Sequence, residues 1–220
     1  MLIEIANGSL LEGDPTGALQ TLAEAERDDP SLPELYHSRA LAFFGKHDLS
    51  SAIKAARHSV SLKSNYSDAN NTLGKLLIDD GKLNEAEGPL LVAANDPLYR
   101  DSYKAWTSLG VLKFRQNDFS QAEIYLNHAI QDAPAQSCIA YYFRGQVELK
   151  NNHIEQAIKD YNQATKKTCA RLSEAHLALG LAYQQNRQYD LARKTFLDVE
   201  KRFPNTQYAE KAMDHLRYLP

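Results

Sequence analysis

Apolar positions along this chain fall into short segments with helical periodicity, and the segments return at a nearly constant spacing. Every second segment has a small residue at its middle: Ala6, Ala40, Gly74, Gly110, Gly145 and Gly180, at steps of 34, 34, 36, 35 and 35. Twelve positions after each stands an alanine, Ala18, Ala52, Ala86, Ala122, Ala157 and Ala192. Four further on come Leu22, Ala56, Leu90, Leu126, Tyr161 and Phe196, mostly bulky. Three beyond those are Ala25, Ser59, Ala93, Ala129, Ala164 and Val199, all but the last small. Proline closes four units at 30, 97, 134 and 204, with Ser64 and Cys169 in the other two slots. The polar stretches EGDPTG, GKHDLS, DDGKLN, RQNDFS, KNNHIE and QNRQYD read as turns, each opening the next helix with a polar cap. The pattern predicts two antiparallel helices per unit and no strand. In the tail, Tyr208, Ala209, Ala212, Met213, Leu216 and Leu219 form a stripe at helical spacing, which predicts a helix capping the last unit.

A small residue in the first helix and an alanine in the second let two helix backbones approach, and the bulky residue fills the space between successive units. Together with WTSLGVLK and QAEIYLNHAIQDAP over 106–134, and LGLAY, LARKTFLDV and FP over 179–204, these columns resemble the tetratricopeptide repeat. The resemblance covers residues 2–206. It implies an all-α, right-handed superhelical solenoid of six helix–turn–helix repeats, at about 1–32, 33–66, 67–102, 103–137, 138–172 and 173–206, with a C-terminal capping helix at 207–220.

Composition narrows the function. The 25 Lys and Arg against 28 Asp and Glu, with no basic run longer than two, exclude the electrostatic footprint of a nucleic-acid binder. No apolar run approaches the roughly 20 residues of a membrane-spanning helix, and the start MLIEIANGSLLEGD has no signal-peptide organisation. The seven histidines form no H-x3-H or HExxH pair, and His176 occupies a packing slot filled by Trp106 and Tyr141 in neighbouring repeats. Phosphate-binding glycine loops and nucleophile elbows are missing. We expect no enzyme, no cofactor, no metal and no small-molecule substrate, but a protein partner.

Cys138 opens the first helix of repeat 5 and Cys169 stands near its end, so an antiparallel hairpin would bring the two to the same end. Two free, buried thiols are the alternative. The register implied by the resemblance puts His37, Leu41 and Phe44, then Asn71, Lys75 and Ile78, then Thr107, Val111 and Phe114 on the partner-binding face. Repeats 5 and 6 add Tyr142, Gln146, Leu149, Leu177 and Leu181. This set is mainly apolar, which suits an extended or helical segment of a protein; several of the same residues could instead pack between neighbouring first helices. The Lys/Asn/Arg clamp by which chaperone-binding members hold a peptide carboxylate is not recognisable.

One seam refines the resemblance. In residues 70–110 the features Asn70, Asn71 and Gly74, then Gly81 and Lys82, then Asp96, Leu98 and Tyr99, then Trp106, Leu109 and Gly110 are similar to the central repeats of the PilF/PilW/Tgl-type lipoproteins of type IV pilus biogenesis. That resemblance implies a pilotin that helps secretin subunits reach and assemble in the outer membrane, working at its periplasmic face. It also implies a disulfide between C-terminal repeats and a lipidated cysteine after a signal peptide; neither of the latter features lies within 1–220, so membrane attachment rests on the resemblance alone. The chain starts about two residues inside the expected first helix, which gives the expectation of a trimmed upstream segment. A cytoplasmic adaptor is the alternative. At the seam, Asp96-Pro97 is expected to stop a helix already weakened by Gly88-Pro89, with Tyr99 and Tyr103 covering the widened step.

Overall fold

The computed structural model describes residues 1–220. It contains thirteen α-helices and no strand: α1 Leu2–Leu11, α2 Pro15–Asp28, α3 Pro33–Gly45, α4 Leu49–Leu62, α5 Ser67–Asp79, α6 Leu83–Ala94, α7 Ser102–Arg115, α8 Phe119–Asp132, α9 Cys138–Lys150, α10 Ile154–Ala164, α11 Ser173–Gln185, α12 Tyr189–Arg202 and α13 Gln207–Arg217. The chain divides into two units, Met1–Leu112 and Lys113–Pro220. In the first, α1 packs on α2, α3 on α4 and α5 on α6; in the second, α9 packs on α10, α11 on α12, and α13 on α12. Consecutive helix pairs of this kind are the packing of a tetratricopeptide solenoid.

Each turn inside a pair is made the same way. The residues at 13, 47, 81, 117, 152 and 187 all have positive φ, between 58° and 80°. A left-handed residue here ends the first helix and reverses the chain. Glycine fills two of these slots without steric cost, while His47, Asn117, Asn152 and Arg187 carry a Cβ into that region. The following helix begins with a side-chain cap in α2, α4 and α8, where Asp14, Asp48 and Asp118 accept from the backbone N–H three residues on. Lys82, His153 and Gln188 stand at the same position without such a bond.

Inside each pair the small-residue column meets the bulky one. A Cβ added to Gly145 would lie 2.6 Å from Tyr161 Cε1, and one added to Gly180 would lie 2.5 Å from Phe196 Cε1; at Gly74 it would collide with the Leu90 side chain. Leu90, Tyr161 and Phe196 are completely buried. In repeat 2 the bulky slot holds Ala56, and the facing slot tolerates Ala40.

One connection agrees with the sequence reading and one departs from it. Helix α6 runs unbroken through Pro89 and ends at Ala94, ahead of Asp96-Pro97, with Asn95 Nδ2 donating to Leu91 O (2.9 Å). The seam then occupies residues 95–101. Asp96 accepts from Ser67 Oγ and from Leu98 N, and the Tyr99 hydroxyl donates to Asp68 Oδ1 (3.0 Å), tying the seam to the start of α5. A longer link, 165–172, joins α10 to α11, because α10 has 11 residues where α4, α8 and α12 have 14. It holds the short 3-10 turn Lys167–Cys169. Cys138 and Cys169 form a disulfide across this link, with Cα atoms 5.2 Å apart and a sequence separation of 31. A loop of that size stabilises by about 3–4 kcal/mol in the chain-entropy account.

The Tyr161 hydroxyl is buried without a hydrogen-bond partner, and burial pushes its pKa far up. Tyr161→Phe removes that desolvated group and keeps the ring, so it should stabilise by about 1 kcal/mol in urea unfolding. Gly145→Ala should cost about 1–3 kcal/mol by overpacking the same contact. A destabilised Tyr161→Phe would show that the hydroxyl has a partner in solution.

Candidate partner-binding face

In the first unit α3, α5 and the first turns of α7 present the candidate face. Leu41 and Phe44 lie one helical turn apart on α3 and stay 38% and 48% exposed, an apolar pair with no cover. Lys75 is also exposed, whereas Asn71, Ile78 and Thr107 are buried, and Val111 is half-buried. Asn71 Oδ1 accepts from Ser108 Oγ (3.2 Å), which uses it to join α5 to α7.

His37 sits at the centre of a polar cluster on this unit. Its Nε2 lies 2.9 Å from Thr72 Oγ1, and its Nδ1 lies 3.4 Å from the Tyr66 hydroxyl, with the two rings edge-on at 5.4 Å. Burial holds the imidazole pKa below its usual value, against weaker attraction from Asp68 and Glu34. Burial also raises the Tyr66 phenol to about 12. The cluster is therefore neutral near pH 7.

In the second unit, side chains on the candidate face are more enclosed. Phe119, Phe114, Phe143, Tyr142 and Tyr161 make a continuous series of ring contacts, at centroid distances of 5.6, 5.4, 5.2 and 6.0 Å. Tyr142, Gln146, Leu149 and Leu181 are half-buried; Leu149 packs against the Tyr161 cluster, and Leu181 joins buried Leu177 and Phe196. His176 is 4% exposed, with its ring 5.2 Å from Phe203, and its Nε2–H donates to Ala170 O (3.1 Å). Burial lowers its pKa too. No group of three His, Cys, Asp or Glu is arranged to hold a metal ion, and no helix is long and apolar enough to cross a membrane.

Tetratricopeptide-repeat family models match residues 103–135 and 142–207. The chain carries tetratricopeptide repeats. Among solved structures it is similar to Pseudomonas aeruginosa PilF, with 18% identity, a TM-score of 0.80, and coverage of 97% of this chain and 96% of that one. PilW, a type IV pilus biogenesis factor, aligns with 17% identity, a TM-score of 0.85 and 96% of both chains. The Cut9–Hcn1 assembly of the APC/C aligns at 18% identity and a TM-score of 0.83, over 99% of this chain and 42% of that one. No curated protein sequence matches significantly. At these identities the shared property is the tetratricopeptide fold, built elsewhere into pilus factors and into a multi-protein assembly alike.

Because His37 and His176 have pKa values lowered by burial, the unfolded chain binds more protons than the folded one below about pH 6.5. Stability is complete above that pH and falls as pH drops toward the folded-state values. Thermal melting should move down between about pH 7.5 and about pH 5.5, with each histidine contributing at most about 1.4 kcal/mol per pH unit. The double variant His37→Gln/His176→Gln should flatten the profile; an unchanged slope would assign it to other groups.

Proposed function

We propose that this protein is a non-enzymatic interaction scaffold of type IV pilus biogenesis, a pilotin-like factor that assists secretin subunits to reach and assemble in the outer membrane. The observation that carries this reading is the end-to-end match to both PilF and PilW, in which each chain is covered almost completely by the other. The Asn70/Asn71, Asp96 and Leu98/Tyr99 seam supports it from sequence. So does the Cys138–Cys169 disulfide, a bond that persists in oxidising compartments such as the periplasm. In this reading the protein works at the periplasmic face of the outer membrane, and its partner is a secretin subunit or another pilus-assembly protein. A general tetratricopeptide adaptor, one that takes a peptide segment of some other protein, is the second reading. It is favoured by the equally good backbone match to a chain of the APC/C Cut9–Hcn1 hetero-tetramer, a different assembly.

The exposed pair on α3 is the best place to test the contact, because the residues elsewhere on the face also hold the helices together. Leu41→Asp/Phe44→Asp should abolish co-purification of the secretin with little loss of helix content by circular dichroism. Secretin binding that survives this change would remove the α3 face from the reading. Secretin that fails to bind the unmodified protein would favour the general adaptor.

A further inference from the structure

A second surface lies on the second unit. A groove of about 570 Å³ runs between α10 and α12, floored by α11. Leu191, Lys194, Asp198 and Lys201 reach it from one face of α12; His176, Leu179 and Tyr183 come from α11, and Asn162 and Thr165 from the end of α10. We propose that this groove binds an acidic, amphipathic peptide segment of a partner protein.

The floor offers little for a polar ligand. Leu179 is buried, the Tyr183 hydroxyl accepts from Asn162 Nδ2 (3.1 Å), and the ring N–H of His176 is used by Ala170 O. Leu191 and Leu197 stand at the edges, 44% and 49% exposed. Asp198, the one carboxylate in the groove, is paired with Arg202 Nε at 3.2 Å. Lys194 and Lys201 are exposed and make no ion pair. The adjoining link adds Lys166, Lys167 and Arg171 and no acid within 165–172. The backbone of that link is held by the Cys138–Cys169 bond, by Thr168 Oγ1 donating to Ala135 O, and by His176. A chain of net charge −3 thus concentrates positive charge beside an apolar trough.

Repeats 2 and 5 show what fills the corresponding position when the slot is polar. The residue before the small-column position is apolar in four repeats, Ile5, Leu73, Leu109 and Leu179, and arginine in two, Arg39 and Arg144. Arg39 makes a two-bond pair with Glu26 (2.9 and 2.7 Å), and Arg144 one with Asp160 (2.8 and 2.6 Å). The groove at Tyr36, Arg39 and Phe43, which matches His176, Leu179 and Tyr183 in register, holds 280 Å³. Leu179 stands in place of that arginine, and Thr165 and Thr195 occupy the positions that match Glu26 and Asp160, so the trough is wider and its lysines make no ion pair. Carboxylates on the ligand supply that counter-charge, and apolar side chains between them reach Leu179 and Leu191. This surface is distinct from the α3 face, so the inference does not depend on the pilus reading.

The test uses fluorescence anisotropy with a labelled amphipathic peptide of leucine and glutamate, its leucine–lysine counterpart, and phosphatidylglycerol vesicles. The acidic peptide should bind saturably and weaken at least about tenfold in Lys194→Glu/Lys201→Glu. It should also weaken as salt rises from about 0.05 to about 0.3 M, and should be unaffected by Leu41→Asp/Phe44→Asp. Leu191→Ser should reduce its affinity severalfold. Equal binding of both peptides, indifference to the lysine reversal, or no saturable binding would overturn the proposal. Lysine-dependent binding to vesicles without peptide binding would also overturn it, in favour of a membrane surface.

Discussion

The contact between a glycine on the first helix of a pair and a large side chain on the second, made in α5–α6, α9–α10 and α11–α12, sets the geometry of everything else. Leu90, Tyr161 and Phe196 lie directly over the backbone at Gly74, Gly145 and Gly180, where no Cβ fits. That close approach lets two helices of modest length bury a common core. Where Ala56 replaces the large residue, the facing slot holds Ala40, and both are completely buried. Tyr161 shows how strong the demand for a large side chain is: the slot is filled even though the phenol loses its hydrogen bond. With the inner faces committed in this way, only the outward faces of the helices remain for partners.

Much of this was legible in the sequence because each column answers a steric requirement that few residue types meet. The glycine and alanine columns, the turns and the cysteine pair could be read from spacing. Gly13 and Gly81 marked the left-handed turn residue, but His47 and Arg187 do the same job without glycine's signature. The long link 165–172 was hidden for a different reason. Shortening α10 lengthens the link by the same number of residues, so the period of 35 is unchanged. Likewise α6 passes Pro89, because the helix is held by its packing against α5 more than by one lost backbone bond.

The candidate face was readable as a register but not as a surface. Helices in a solenoid are apolar on more than one side, so Ile78 and Leu177 look in sequence like Leu41 and Phe44; the first two are buried and the second two are exposed. Burial depends on which neighbour packs there, and periodicity within one helix does not contain that information. The columns alone do show that Arg39 and Arg144 depart from the apolar residue, Ile5, Leu73, Leu109 or Leu179, found in that slot in the other repeats.

Each unit carries a chemically different outward surface, an apolar pair on α3 in the first and a cationic trough beside α12 in the second, and the pilus reading assigns the protein to secretin assembly. Measuring secretin multimers in outer-membrane fractions of the native cell, with and without the gene for this protein, tests that assignment most directly. The account predicts that deletion strips multimers from the outer membrane and leaves unassembled subunits behind. Undiminished multimers in the outer membrane would contradict it.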